Sequence, residues 1–187
     1  MSQIPDPTGR LTPEAQQIYA KIVGSRGHDY PGLFRSLMNY PELAERFADF
    51  GKLLRFDGVL RADVRELAIL TVARDLRVAY EWETHQETAA RAGLSAPLIA
   101  EVLAGRDLSA EPLYTKVQAL ARHFVRHEVV PQPLQDELVA ALTLPGFVQL
   151  SVVINYYRMI AGLAIGFEFP LPEGMSDPFR RPDSHPS

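Results

Sequence analysis

Residues 61–93 decide the fold of this chain, and they read RADVRELAILTVARDLRVAYEWETHQETAARAG. Apolar residues recur here at the three- and four-residue spacing of a helix, which predicts two helices with a short break near residues 75–77. The first helix is almost wholly apolar over residues 67–73, so we expect it to lie deep, with Arg61 and Arg65 as its solvated positions. Such a helical pair indicates an all-α domain.

The second helix of the pair carries two ionisable side chains on its apolar face. That face is marked by Val78, Ala89 and Ala92, and the opposite face carries Glu83, Glu87 and Arg91. Glu81 and His85 fall on the apolar face, one helical turn apart. Burial of such groups is costly unless they are paired or functional, so both residues are candidates for chemistry.

Glu66, in the first helix, is the third candidate. It lies at the start of the apolar run, and in a helical hairpin it would face Glu81 and His85. A carboxylate and an imidazole at i,i+4 can form a hydrogen bond that fixes the histidine tautomer and prepares a proton donor and acceptor near neutral pH. The same spacing occurs in purely structural pairs, so a structural role stays open as the alternative.

The remainder of the 187-residue chain reads as helices with proline at their first positions, as at Pro13, Pro41 and Pro112. No alternating pattern indicates a strand. We therefore predict one all-α domain of about eight helices, with a core over about residues 12–166. The proline-containing ends, residues 1–10 and 167–187, are predicted to be extended arms, and the second of them to clasp a neighbouring subunit.

Composition excludes several classes of function. The net charge is −4 and no cluster of Lys and Arg is present, which argues against nucleic acid as a partner. The chain has no cysteine, which excludes disulfides, thiolate ligands and thiol nucleophiles. The most apolar run, residues 145–169, is interrupted by polar residues, so we predict a buried helix and no membrane span. A cytoplasmic protein whose partners are a small-molecule substrate and further copies of itself is the expectation.

Other polar and aromatic residues were weighed as ligands. His123 and His127 have the i,i+4 spacing of metal ligands, but no third ligand is identifiable, so no metal site is expected. Arg158 is a charge within an apolar helix and needs a partner, which makes it a candidate for binding a substrate carboxylate. Tyr156 and Trp82 are candidates for substrate contacts, with packing as the alternative for each.

Three segments together resemble a known family. They are R-E-L-A-I-L at residues 65–70, A-Y-E-W-E-T-H at 79–85 and A-x-x-A-G-L at 89–94, and they are similar to the carboxymuconolactone decarboxylase family of the alkylhydroperoxidase D-like superfamily. The resemblance implies an all-helical subunit that assembles as a homo-oligomer, with its site between helices and near a subunit interface. It also implies chemistry without a metal or organic cofactor.

The peroxidase branch of that superfamily carries a glutamate, two cysteines and a histidine. Laid on this chain, the glutamate falls on Glu66 and the histidine on His85, whereas the cysteine positions fall on Val78 and Glu81. A thiol peroxidase passes electrons through its cysteine pair, so that activity is not expected. The decarboxylase branch, which converts a carboxymuconolactone to an oxoadipate enol-lactone, is more similar through the motif Y-E-W-x-x-H.

These observations predict a cofactor-independent acid–base enzyme, of decarboxylase or isomerase type, acting on a small carboxylated or lactone compound. His85 would shuttle the proton, Glu81 would orient and charge His85, and Glu66 would be a second acid–base group or a stabiliser of the imidazolium. Arg158 or Arg77 would hold the substrate carboxylate. The alternatives are a non-catalytic oligomeric ligand-binding protein and, less favoured, a peroxidase-family member that lacks the redox cysteines.

Overall fold

The computed structural model describes residues 4–27, 29 and 32–180, and this part of the chain is helical without a β-strand. Its helices are α1 (Pro13–Arg26), α2 (Leu33–Leu37), α3 (Pro41–Lys52), α4 (Ala62–Asp75), α5 (Ala79–Arg91), α6 (Ala96–Ala104), α7 (Pro112–Val125) and α8 (Gln132–Gly166). A 3₁₀ turn at Thr8–Arg10 precedes α1, and a π-helical turn at Leu53–Asp57 follows α3. The prediction of an all-α fold with about eight helices is confirmed.

Helix α4 is the centre of the core, as its apolar sequence predicts. Every residue from Asp63 to Ala73 is buried, and α5, α7 and α8 pack around the helix. The prediction that Arg65 is solvated was wrong: its side chain is 10% exposed and its Nε lies 3.0 Å from Oε1 of Glu66. Arg65 is buried because it supplies an opposite charge to a carboxylate that is itself fully buried.

Helix α3 packs differently from the apolar stripe that its sequence suggests. Its buried residues are Ala44, Ala48 and Gly51, while Leu43 and Phe50 are exposed. Ala44 and Ala48 pack against Ala15 and Ile22 of α1, so the small residues form this contact and the larger Leu43 and Phe50 lie outside it. Helix α3 then widens into the π-helical turn, a feature that often occurs at functional sites.

Helix α8 is interrupted at Thr143, whose φ of 66° is not helical. The first helical segment therefore ends near Leu142, and the second begins near Pro145, as the proline predicts. By length and composition α8 is apolar enough to cross a membrane, with a mean hydropathy of 1.8 over its most apolar window. That is weak support for a span, because core helices pass the same test. Only 28% of that window is buried, so much apolar surface remains exposed.

The arms fold back onto the same chain. In the first arm, the Pro5 carbonyl accepts a hydrogen bond from Asn39 Nδ2 at 2.8 Å. In the second, the ring of Phe169 packs edge-on against Tyr80, and Phe179 packs against Trp82. Residues 1–3 and 181–187 lie outside the described part of the chain, as does any contact they make with a neighbouring subunit.

Candidate functional site

A buried hydrogen bond between His85 and Glu66 joins α4 to α5. His85 Nδ1 lies 2.8 Å from Oε2 of Glu66, and the two side chains are 7% and 0% exposed. Glu66 Oε1 accepts a second hydrogen bond from Arg65 Nε at 3.0 Å. Burial raises the pKa of Glu66, but the charge and hydrogen bond of His85, with the neighbouring Arg65, outweigh burial and hold that pKa below its ordinary value. Glu66 is therefore an ionised carboxylate.

Glu81 has the opposite electrostatic environment. Its Oε2 lies 3.7 Å from His85 Nε2, which is beyond hydrogen-bond distance. Burial, together with the negative charge of Glu66, raises the pKa of Glu81 above its ordinary value, against the opposing influence of His85. The pKa values of two carboxyl groups beside one imidazole are thus shifted in opposite directions, a pattern typical of acid–base sites.

The hydrogen bonds assign the roles of the two carboxylates differently from the sequence analysis. Glu66, on another helix, orients the imidazole through Nδ1, because it is the only one of the two within hydrogen-bond distance. Glu81 shares a helix with His85, yet it lies on the Nε2 side and faces a cavity. Sequence spacing favoured the i,i+4 pair because the contact across two helices cannot be read from spacing.

The cavity beside Glu81 and His85 has a volume of about 60 Å³, enough for a few water molecules or a small substrate group. Helices α1, α2, α3, α5 and α8 and the π-helical turn all contribute to it. Its lining residues are Arg26, Leu33, Phe34, Gly51, Arg55, Tyr80, Glu81, Thr84, His85, Tyr156, Tyr157 and Ile160.

Two tyrosines of α8 form one wall of the cavity. The ring of Tyr157 meets the His85 imidazole edge to face, with centroids 5.0 Å apart, and its own pKa is raised by burial. Tyr156 stacks on Phe47 at 4.8 Å, and its hydroxyl donates to the Phe47 carbonyl. That hydroxyl occupies the space over Gly51, where a Cβ atom would lie 2.4 Å from the oxygen. Glycine is required there by this close approach.

Arg26 and Arg55 are lining residues that sequence reasoning missed. Arg26 lies in the last turn of α1 and Arg55 in the π-helical turn, far from residues 61–93 in the sequence. The one available signal was weak, since each is a lone arginine near a helix end. Their convergence depends on the packing of α1 and α3 against α8.

Three of the residues predicted to contact substrate lie outside this cavity. Trp82 is buried against Phe179, and Arg77 donates to the backbone carbonyl of that same residue. Arg158 contacts Asn155 and the ring of His127, which supply the polar partners that its place in an apolar helix required. A substrate role for Trp82 and Arg158 stays a prediction from the sequence, whereas Tyr156 does line the cavity.

The structure offers no cluster for a metal ion. Within residues 4–27, 29 and 32–180, no group of three or more His, Asp or Glu side chains is close enough to hold one. His123 instead lies 3.4 Å from Glu128, and His127 lies against Arg158.

Comparison with known proteins supports the resemblance seen in the sequence. Residues 41–121 match the model of the carboxymuconolactone decarboxylase family, a range that includes Glu66, Glu81 and His85. No curated protein sequence matches the chain. A solved structure with a similar fold is that of the debrominase Bmp8, carrying a cysteine-to-alanine substitution, in complex with 2,3,4-tribromopyrrole. The TM-score is 0.68 at 12% identity, over 92% of this chain and 95% of that one, which establishes a shared fold.

Proposed function

We propose that this chain, a member of the carboxymuconolactone decarboxylase family through residues 41–121, is a cofactor-independent acid–base enzyme. Its substrate is a small carboxylated or lactone compound, and the reaction is a decarboxylation or an isomerisation. One observation carries the proposal: at one small cavity, His85 is hydrogen-bonded through Nδ1 to the Glu66 carboxylate and meets on its Nε2 side Glu81, whose pKa is raised by burial. Proton transfer needs a base and an acid held in different protonation states at the same place.

His85 is the base in this proposal. The Glu66 carboxylate accepts the Nδ1 proton, which leaves the lone pair on Nε2, facing the cavity. Nε2 takes a proton from a carbon next to a carbonyl group, and the resulting imidazolium is stabilised by Glu66 at 2.8 Å. The imidazolium then returns the proton to a different carbon, which completes an isomerisation.

Glu81 is the acid. Burial raises the pKa of Glu81, so its carboxyl group keeps its proton to higher pH than an ordinary glutamate, and the protonated group donates a hydrogen bond to the enolate oxygen that develops. In a decarboxylation, the bond from the ring carbon to the carboxylate breaks, and its electron pair moves into the conjugated carbonyl that Glu81 stabilises. A proton from solvent, delivered through His85 Nε2, then takes the place of CO₂ on that carbon. Glu81 and His85 line the cavity, and Glu66 acts from behind the imidazole.

The test is turnover of carboxymuconolactone and related lactones by the wild type and by His85→Ala. General acid–base catalysis is worth about 10²–10⁴-fold, so we expect a loss of that size in kcat. His127→Ala is the matched control, because that histidine lies outside the cavity against Arg158, and it is expected to keep the wild-type rate. Equal rates for the wild type and His85→Ala would contradict the role of His85.

A second candidate is a non-catalytic ligand-binding protein. The cavity volume of about 60 Å³ favours this candidate, because a cavity of this size can also hold a small ligand without converting it. A lactone that raises the Tm but is recovered unchanged after prolonged incubation would favour this candidate. Thiol-dependent peroxide reduction is not proposed, because the chain has no cysteine.

A further inference from the structure

We propose that Arg26 and Arg55 form an anion-binding subsite that receives the carboxylate of a small molecule. This subsite would hold the substrate of the proposed function. It rests on that function only because Arg26 and Arg55 line the same cavity as Glu81 and His85. Binding at the two arginines is measurable without turnover, so the two proposals can fail separately.

Arg55 has an unsatisfied donor. Its Nε is buried and has no hydrogen-bond partner among the described residues, while its guanidinium lies over the ring of Phe56, with Cζ 4.8 Å from the centroid. A buried donor left unpaired is destabilising, and more so when it is charged. A guanidinium presents its donors as a planar fork that matches two carboxylate oxygens. A bound carboxylate therefore supplies the acceptor that Arg55 lacks.

Arg26 is bonded to neutral acceptors. Its Nη1 donates to Ser25 Oγ at 2.9 Å, its Nη2 donates to the Ala48 carbonyl at 3.3 Å, and its Cζ lies 3.9 Å from the centroid of Phe34. These contacts orient the guanidinium but leave its charge uncompensated. Burial lowers the pKa of Arg26, and the nearby cation Arg55 contributes in the same direction. An anion between the two arginines relieves both effects.

The acids in the cavity do not neutralise these arginines. Glu66 is engaged by Arg65 and His85, and the polar contact of Glu81 is with His85. The salt bridges formed within the described ranges include neither Arg26 nor Arg55. The two guanidinium groups thus have no carboxylate partner within those ranges, and a carboxylate seated there leaves the rest of the molecule beside Glu81 and His85.

The experiment compares 4-oxopentanoate with its uncharged amide, 4-oxopentanamide, by calorimetric titration at pH 7. The probes have the same shape and differ in the charge that the subsite recognises. We expect the wild type to bind the carboxylate at least about tenfold more tightly than the amide, because a hydrogen bond to a charged group is worth about 1.5–3 kcal/mol. Arg26→Gln and Arg55→Gln should each lose about tenfold in affinity for the carboxylate.

Arg46→Gln is the matched control, because Arg46 is an exposed cation of α3 that does not line the cavity. It should bind the carboxylate as the wild type does. Circular dichroism of each variant checks that the helices are intact.

The outcomes separate the two proposals. Unchanged carboxylate affinity in Arg55→Gln, equal binding of acid and amide, or no binding at millimolar concentrations would each overturn the subsite, whatever His85→Ala does to turnover. Selective carboxylate binding that depends on both arginines, in a protein that turns over no lactone, would keep the subsite and remove the proposed reaction.

Discussion

Glu66 and Glu81 have the same side chain, and their surroundings shift their pKa values in opposite directions. Glu66 has two hydrogen-bonding partners within 3.0 Å, Arg65 and His85, so its negative charge is stabilised. The Glu81 carboxyl lies 3.7 Å from His85, which is too far for a hydrogen bond. Burial therefore has the largest influence on the pKa of Glu81. The difference arises because His85, on α5, forms its hydrogen bond with Glu66 on α4. That contact makes Glu66 the partner of the imidazole and leaves Glu81 as the acid.

Glu81→Gln is predicted to stabilise the protein at alkaline pH. The folded pKa of Glu81 is raised above 4.5, so at higher pH the unfolded chain ionises this group while the folded protein holds it neutral. Wild-type stability therefore falls as pH rises from about 4.5 through the raised pKa, and glutamine removes that loss. The gain in Tm, about 2–4 °C per kcal/mol, should be largest near pH 8 and vanish toward pH 4.

Thermal unfolding of the wild type and Glu81→Gln across this pH range measures the effect. Glu87→Gln is the control, since the Glu87 side chain is 77% exposed and its replacement should change little. A gain that stays constant with pH, or a loss at pH 8, would argue against a protonated Glu81.

Gly51→Ala is predicted to disturb the tyrosine wall. The new Cβ would lie 2.4 Å from the Tyr156 hydroxyl, and stacking on Phe47 restricts the ring from moving away. Overpacking of this kind costs about 1–3 kcal/mol, which denaturant unfolding detects. Gly24→Ala, where the Cβ meets nothing within 4 Å, should instead gain up to about 1 kcal/mol. Adding Tyr156→Phe to Gly51→Ala should recover part of the loss, and no recovery would show that the contact is not the cause.

At the level of single residues, the sequence predicted which residues form the site better than it predicted their pairing. Glu81 and His85 were identified by their position on an apolar helix face, and they are buried there. The hydrogen bond from His85 to Glu66 joins residues 19 apart, so it depends on how two helices pack. The same holds for Arg26 and Arg55, which converge only through tertiary structure.

At the level of elements, Gln149 fixes the π-helical turn against α8. Its Oε1 accepts from the backbone amides of Val59 and Leu60 at 2.7 and 2.9 Å, and its Nε2 donates to the Leu54 carbonyl at 2.9 Å. One side chain thus satisfies three backbone groups at the end of the turn that carries Arg55. Its sequence position shows only a polar residue that interrupts an apolar run.

Gln149→Leu is predicted to destabilise the protein and loosen the turn. Three hydrogen bonds worth about 1 kcal/mol each are lost, so we expect a decrease of about 2–4 kcal/mol in the free energy of unfolding. Hydrogen exchange at the Val59 and Leu60 amides should accelerate. Gln132→Leu, which removes an exposed hydrogen bond to Asp136, is the control and should leave both measurements near wild type. Unchanged exchange in Gln149→Leu would contradict the account of the turn.

The helices themselves were largely predictable, because their boundaries depend on local chemistry. Proline and a side-chain cap define helix starts, as where Thr12 accepts from the Ala15 amide, and the break in α8 follows from residues near Pro145. The π-helical turn was not predictable, because it depends on contacts with α8. The exposed position of Phe50 depends likewise on the fit of small residues between α1 and α3.

At the level of the whole molecule, a large apolar surface is left uncovered. The exposed side chains are Leu53, Phe56 and Val59 near the π-helical turn and Leu144, Val148 and Met159 on α8. Gln149 holds the end of the turn against α8, so exposed apolar side chains of both segments lie on either side of this contact. Exposed patches of this kind mark interaction sites, and self-association through this surface is the proposal.

Val148→Glu is predicted to shift the protein toward monomers in sedimentation velocity at micromolar concentration. A charge at the centre of an apolar interface is costly to bury, whereas Val129→Glu places the same charge on the exposed loop after α7 and should not change the oligomer. A monomeric wild type, or one that sediments with lipid vesicles, would contradict self-association through this surface.

The most direct measurement is a ¹³C NMR titration of the side-chain carboxyl groups of Glu66 and Glu81, with Glu66→Gln and Glu81→Gln used for assignment. It needs no substrate and reads the two protonation states on which the proposed reaction depends. We predict that Glu66 stays ionised below its ordinary pKa of 4.5 while Glu81 stays protonated well above that value. Titration of both groups together near or below pH 4.5 would contradict the assignment of Glu81 as the acid.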